Sequence, residues 1–576
     1  MLIPLVLTLV FIAGALLLTL LLARAAWKQR NPASAADDHV PADLKEFGPS
    51  SANRWLRGLR SLLVLLILAV LGMHAYWVFW AGSNKNFVQA QRLDARNLRL
   101  AESGLKGWLL DRSGKLENAL VRYRSDAGRV TRDYPLGEAA VHLTGYSDYV
   151  FGSGGLEYAY RQWLTTPLSL SNELASPVPV GKDLKVSIDS AFQRAAYSLI
   201  KGTGKPAAAV VLLLPSNEVL AMVSTPSFDP LAITNEETWR RLSEQADDAP
   251  ELSPLVNRAL GTLVTGGSAF YYRPGSTFKT FTAAVAIESG VTNERFTCRG
   301  EGFTPPGSNR AIRDFEGEVH GTLGFQDAFR LSCNQYFAQL GLKLGRERMA
   351  NYARRLGFAT SPEEGTRRAL DIWQTRVAEP RDFNFIFAPP TPRMNLSSKA
   401  TSYDLALESF GQGFDDLTVF KMALMAAAAA EDGALVAPTF EVGAERRVSG
   451  QFISQQSAAR LRELMALVVQ SGTAAGAFAS LRGRINAAGK TGTADRDVPA
   501  YDKQGNQIVD YVDKEGNTHY KFVGWTDGWF IGFAPVEAPK IAFAVVVENG
   551  GQGAHSAAPI AVKLIETASG LGYISR

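Results

Sequence analysis

Two uncharged apolar stretches constrain this chain more than any other feature. Leu2 to Ala23 runs for 22 residues without a charge, mostly Leu, Val, Ile and Ala, and Ser61 to Ala81 forms a second such stretch. Each is long enough to cross a hydrocarbon core of about 30 Å as a helix. Tyr76, Trp77 and Trp80 gather at the far end of the second, where amphipathic rings suit a membrane–water interface. A cleaved signal peptide needs a positively charged segment ahead of its apolar core. None precedes Leu2, so the first stretch (2–23) reads as a retained span. The segment between the spans, 24–60, carries Arg24, Lys28, Arg30, Lys45, Arg54, Arg57 and Arg60. The positive-inside rule places it in the cytoplasm and everything after Ala81 on the opposite side. Residues 31–53 read as a flexible tether. Lys85, Arg92, Arg96 and Arg99 just past the second span weaken that contrast, and their helical spacing suggests a stalk.

Composition then removes several classes. Lys and Arg total 60 against 56 Asp and Glu, a net charge of +4 over 576 residues. That is too mild for a nucleic-acid binder driven by phosphate contacts. Two cysteines cannot build a disulfide-rich scaffold or a four-cysteine zinc site. The six histidines, His39, His74, His142, His320, His519 and His555, are solitary along the chain, so neither metal nor cofactor is expected. Cys298 and Cys333, in an oxidising compartment, could pair as a disulfide or remain two buried thiols.

Beyond the membrane segment, residues 82–184 mix short strand-like runs (GWLLD, ALVRY) with turn signals and end in a Pro/Ser-bearing linker. They read as a small α+β region. From about Lys185 a larger domain begins. AAAVVLLL and EVLAMVS flank the turn PSN, and WFIGFAP and KIAFAVVVEN form a second hairpin near the far end. Strands at both ends with helices between predict an α+β domain, its antiparallel sheet completed by both ends of the segment.

Three short elements carry the chemistry. Ser276 follows Arg273-Pro274-Gly275 and opens STFKTFTAAVAIESG, where Phe278, Phe281, Ala284 and Val285 mark a helical stripe and Gly290 a stop. Lys279, three residues on, shares the face of Ser276. A serine hydroxyl is a poor nucleophile until a base takes its proton. A lysine becomes that base when burial and a helix N-terminus disfavour its ammonium form. Taken alone, the pair reads more readily as a capping serine and a surface lysine, because Ser-x-x-Lys arises by chance in most chains this long. Ser332-Cys333-Asn334 could aim a hydroxyl and a carboxamide into one cleft from a turn between helices. Lys490-Thr491-Gly492-Thr493 suits recognition of a carboxylate, with Gly492 clearing room for a substrate backbone. GKTGT is not a nucleotide-binding loop, because Arg484 stands where that motif needs glycine.

Together and in this order the three resemble the motif set of penicillin-binding proteins and serine β-lactamases. NRAL (257–260), YRPGSTFK (272–279), GQG (411–413), GKTGTA (489–494) and WFIGFAP (529–535) sharpen the likeness to the transpeptidase domain of class B penicillin-binding proteins. The resemblance covers about 185 to 565, making 82–184 a short pedestal and 185–576 the transpeptidase domain. It implies a D,D-transpeptidase that cross-links peptidoglycan stem peptides and is inhibited by β-lactams. Ser276 would be the nucleophile and Lys279 the base. Ser332 with Lys490 would return a proton to the departing D-Ala, and Asn334 would hold the donor peptide. Thr491 and Thr493 would bind the terminal carboxylate, with the backbone N–H groups of Ser276 and Thr493 as the oxyanion hole. No glycosyltransferase fits in 82–184, so the resemblance also implies a membrane-embedded SEDS-type glycan polymerase as partner. Two rivals keep the same residues. One is a carboxypeptidase or β-lactamase-like hydrolase; the other is a non-catalytic β-lactam sensor. Two features depart from the family: the second span, and an insertion at 495–527 whose DKQGNQ and DKEGNT read as successive hairpin turns. That insertion is either a solvated loop or a contact surface for the acceptor strand or a partner.

Overall fold

The structure is a computed structural model that describes residues 49–83, 105–165, 181–361, 364 and 390–575, apart from short breaks at 127–128, 149, 268–270, 414–415, 503–505 and 514–516. Its contacts divide the chain into two units, 1–98 and 99–576. In the first, α1 (Pro49–Ser83) contains the second apolar stretch. Leu62, Leu63, Leu65, Leu66, Leu68 and Met73 are exposed on it. Among the described residues no helix is long and apolar enough to cross a membrane. The first expected span, most of the loop after it and the stalk lie outside the described residues.

In the second unit the expected small α+β region is present. β1 (Leu109–Leu110), β2 (Ala119–Asp126), β3 (Arg129–Asp133) and β4 (Leu184–Lys185) form a sheet in the order β3-β2-β1-β4. β4 runs parallel to β1. Leu109, Leu120 and Val121 belong to the same hydrophobic core as the larger domain, which leaves no seam at residue 185.

The larger domain is built on a five-stranded antiparallel sheet. α2 (Ser190–Lys201) precedes the hairpin β5 (Ala207–Leu213) and β6 (Glu218–Thr225), turned at Asn217 with φ 54°. A small hairpin, β7 (Arg295–Cys298) with β8 (Gly321–Gly324), lies further on. Near the far end come β9 (Ala488–Pro499), the short pair β10 (Val509–Val512) and β11 (Thr518–Tyr520), then β12 (Phe522–Ala534) and β13 (Ile541–Val547). The order β9-β12-β13-β5-β6 joins the first hairpin to the last through β13, with Ala544 opposite Val210. This is the closure expected from strands at both ends of the sequence.

The central strands read as continuous apolar runs because both their faces are covered. Every residue of β6 and β13 is buried. α2 and α7 (Ala557–Gly570) pack together against the sheet, while α3 (Lys279–Glu288), α5 (Val419–Ala430) and α6 (Gln455–Ser471) form a second group. The run Ala426 to Ala430 in α5 presents little more than backbone, which brings this helix close to the sheet. β9 and β6 are the two edge strands, and the free edge of β9 faces the turn that precedes α3.

The expected insertion is a ribbon that grows out of β9 and β12. Their pairing continues unbroken from Thr493–Gly528 to Pro499–Phe522. Asp502 accepts from the N–H of Asn506 and Asp513 from that of Asn517, closing the two expected turns in the same way.

Candidate active site

Three pieces of chain meet at the free edge of β9. The first is a 3-10 turn, Gly275–Phe278, that runs directly into α3. It places Ser276 one turn ahead of Lys279, whose Nζ donates to Ser276 Oγ at 2.9 Å. Phe278 and Phe281 stack at 4.9 Å in the core and fix this turn from below.

The second piece is the break between the helix Phe325–Arg330 and α4 (Asn334–Leu344). Ser332 sits there at φ 62°, a left-handed conformation that non-glycine residues rarely adopt. The strain is offset by what the conformation places. Lys279 Nζ donates to Ser332 O at 2.5 Å and contacts Ser332 Oγ at 3.2 Å, and it donates to Asn334 Oδ1 at 2.7 Å. The third piece is β9, from which Lys490 Nζ reaches Ser332 Oγ at 2.8 Å. Ser332 Oγ is therefore shared by two lysines.

Both lysines are completely buried. Desolvation pulls the Lys279 ammonium down to about 7, with Asp314 opposing it. Lys490 is pushed well below its usual range, first by burial and then by the neighbouring Lys279. A neutral amine hydrogen-bonded to a serine hydroxyl can take its proton and so make that oxygen a nucleophile. Ser276, Lys279, Ser332, Asn334 and Lys490 are thus brought together as expected from sequence.

β9 supplies the remaining expected residues, with one correction. Thr491 and Thr493 line the strand, and Thr491 Oγ1 lies 2.6 Å from Thr473 Oγ1. Gly492 does not clear space for a substrate backbone. A Cβ there would stand 2.8 Å from Thr277 Cγ2 and 2.9 Å from Pro274 O, so the glycine lets β9 close on the serine turn itself. Sequence reasoning gave no role to Thr473, in the loop after α6, or to Gln412. GQG was the only sequence signal for the latter.

A second cluster lies directly behind Asn334. Cys298, at the end of β7, Asp314, His320 and Cys333 place one ligand atom each within 4.8 Å of one another. Of these, Cys298 and Cys333 pair as a disulfide that joins β7 to the start of α4. Cys333 caps α4, its sulfur accepting from Tyr336 N at 3.3 Å. His320 lies between two carboxylates, Nδ1 3.7 Å from Asp314 and Nε2 3.4 Å from Glu318, and Asp314 above all holds its imidazolium above the usual range. His320 was solitary only in sequence. The intact mass should rise by two hydrogens on reduction, which checks the disulfide.

The surroundings agree with the site. Residues 207–566 match the family described as penicillin binding protein transpeptidase domain. The chain is 29% identical over 473 residues to peptidoglycan D,D-transpeptidase PbpA of Mycobacterium tuberculosis, spanning 76% of this chain and 84% of that protein. It is 27% identical over 488 residues to peptidoglycan D,D-transpeptidase MrdA of Acinetobacter baumannii, spanning 76% and 66%. Among solved structures, an imipenem acyl-enzyme of penicillin-binding protein A from M. tuberculosis aligns with a TM-score of 0.62 at 25% identity, over 81% of this chain and 99% of that one. A D,D-transpeptidase domain from Eggerthella lenta gives 0.61 at 26%, over 82% and 100%. A serine–lysine centre on the free edge of a five-stranded sheet, within a match that spans most of the second unit, places the chain in the penicillin-binding protein transpeptidase family.

Proposed function

We propose that the chain cross-links peptidoglycan through an acyl-enzyme on Ser276. The activity is serine-type D,D-transpeptidation, and the observation that carries the mechanism is the buried, depressed Lys279 bonded at once to Ser276, Ser332 and Asn334. Neutral Lys279 takes the proton of Ser276 as Oγ attacks the carbonyl of the penultimate D-Ala. The developing oxyanion is received by the backbone N–H groups of Ser276 and Thr493. Such preorganised donors are each worth about 10²–10³ in rate. Ser332, held between Lys279 and Lys490, relays a proton to the departing D-Ala. Asn334 holds the donor peptide, and Thr491 and Thr493 hold the terminal carboxylate. An amine of a neighbouring strand then takes the acyl group. A β-lactam follows the first half of this path and stops at the Ser276 ester.

A fluorescent penicillin should label the wild-type chain once, with the adduct mapped by peptide mass to Ser276. An unlabelled chain, or an adduct elsewhere, would overturn the mechanism. Product analysis with a stem peptide and an acceptor amine separates transfer from hydrolysis.

The apolar stretches 2–23 and 61–81, with the basic segment 24–60 between them, support a membrane anchor that holds the catalytic unit on the extracytoplasmic side. In this reading 82–184 is the pedestal and 185–576 the transpeptidase domain. Glycan polymerisation falls to a membrane-embedded SEDS-type partner, and co-purification in mild detergent is the check.

A further inference from the structure

Thr493 is enclosed more tightly than strand pairing requires. In an antiparallel strand the N–H and C=O of one residue leave on the same edge. On β9 the outer edge has no neighbouring strand, so groups there must be met by other parts of the chain or by substrate. The carbonyl of Thr493 is met by Gln412, whose Nε2 donates to it at 3.1 Å. Gln412 is itself fixed, its backbone N–H donating to Leu407 O at 3.1 Å. The next contact closes a triangle. Gly275, immediately before the nucleophile, donates its N–H to Gly411 O at 3.0 Å. A Cβ on Gly275 would lie 2.3 Å from Thr493 O, and one on Gly411 would lie 2.1 Å from Gly275 O. Three backbones therefore touch at one point with no room for a side chain, and Gly275 holds φ 52° there, a conformation that suits glycine.

We propose that Gln412 is a positioning residue for the oxyanion hole, an assignment that rests on the acyl-enzyme reading of this site. Its amide saturates the Thr493 carbonyl and pins that residue's orientation. The N–H on the same edge then points where the oxygen of the reacting carbonyl develops charge. Gly411 and Gly275 lock the loop that carries Gln412 to the turn that carries Ser276, so the two oxyanion donors are held in register by one contact. Gln412 touches neither substrate nor Ser276. Its effect is confined to the step in which negative charge forms, and initial β-lactam binding does not draw on it.

The test uses the full chain in detergent and a chromogenic cephalosporin, separating the acylation rate constant from the pre-covalent dissociation constant. Gln412→Glu is close in shape but replaces the donor by an acceptor, and Gln412→Met removes polarity. Both should lower the acylation rate constant about 10- to 100-fold, a part of the loss seen when an oxyanion donor is deleted outright. The dissociation constant should stay within about 3-fold, and prolonged incubation should still label every molecule. Wild-type acylation rates in both variants would overturn the proposal. So would a loss confined to the dissociation constant, or one matched by a fall in melting temperature and in the labelled endpoint. Wild-type protein that fails to acylate at all would instead bring down the underlying mechanism.

Discussion

Lys279→Met should lower the rate of Ser276 acylation on the order of 10³-fold, within the range a positioned general base contributes. The argument rests on where the lysine sits. It is completely buried and holds Ser276, Ser332 and Asn334 through a single nitrogen, so methionine removes base and hub together. The wild-type rate should also depend on pH with a defined sign. Burial lowers Lys279 to about 7, so the neutral, competent amine dominates above that value and disappears below it. Acylation should therefore rise through about pH 7 in the wild type, and the residual rate of Lys279→Met should lose that inflection. Stopped-flow acylation from pH 5.5 to 9 reads both. A variant that retained the inflection would assign it to another group and remove Lys279 from the role of base.

The largest expected effect on stability lies away from the catalytic residues. Arg258 and Glu548 are both fully buried and pair at 2.7 Å. Arg496 reaches the other oxygen of Glu548 at 2.6 Å and Asp527 at 2.6 Å, and Tyr272 donates to Glu548 at 2.6 Å. Glu548, just past β13, thus ties together the turn region before Ser276, the end of the sheet and the base of the ribbon. Glu548→Ala should destabilise the fold by about 3–5 kcal/mol, since it removes the carboxylate from beside the fully buried Arg258 guanidinium. Urea unfolding followed by tryptophan fluorescence measures it. Breaking the Arg460–Glu463 pair, whose side chains are 46% and 62% exposed, should cost less than about 1 kcal/mol by comparison. Equal effects from the two would mean that the buried network is compensated by rearrangement.

Much of the catalytic centre was legible because its residues are local. Ser276 and Lys279 need only one helical turn to meet, and the apolar runs of β5, β6, β12 and β13 declare strands buried on both faces. Asn217 and Gly290 mark their turn and stop through backbone conformations that short or absent side chains tolerate. The reading failed where meaning depended on what lies opposite. Gly492 resembled a gap for substrate until the fold placed Pro274 and Thr277 there. His320 and Cys298 carried no ligand spacing because β7, β8 and the start of α4 supply their neighbours from separate segments.

The sequence by itself determined the spacing of Ser276 and Lys279, the three motifs in order and the apolar stretches ahead of the larger domain. These follow from residue type and short spacing. Only the tertiary structure decided that Lys279 is fully desolvated and that Ser332 stands between two lysines. It also decided that Gln412 closes on Thr493 and that Cys298, Asp314, His320 and Cys333 converge behind Asn334. Burial and long-range contact set pKa values and hydrogen-bond direction, and neither is written in any local stretch of chain.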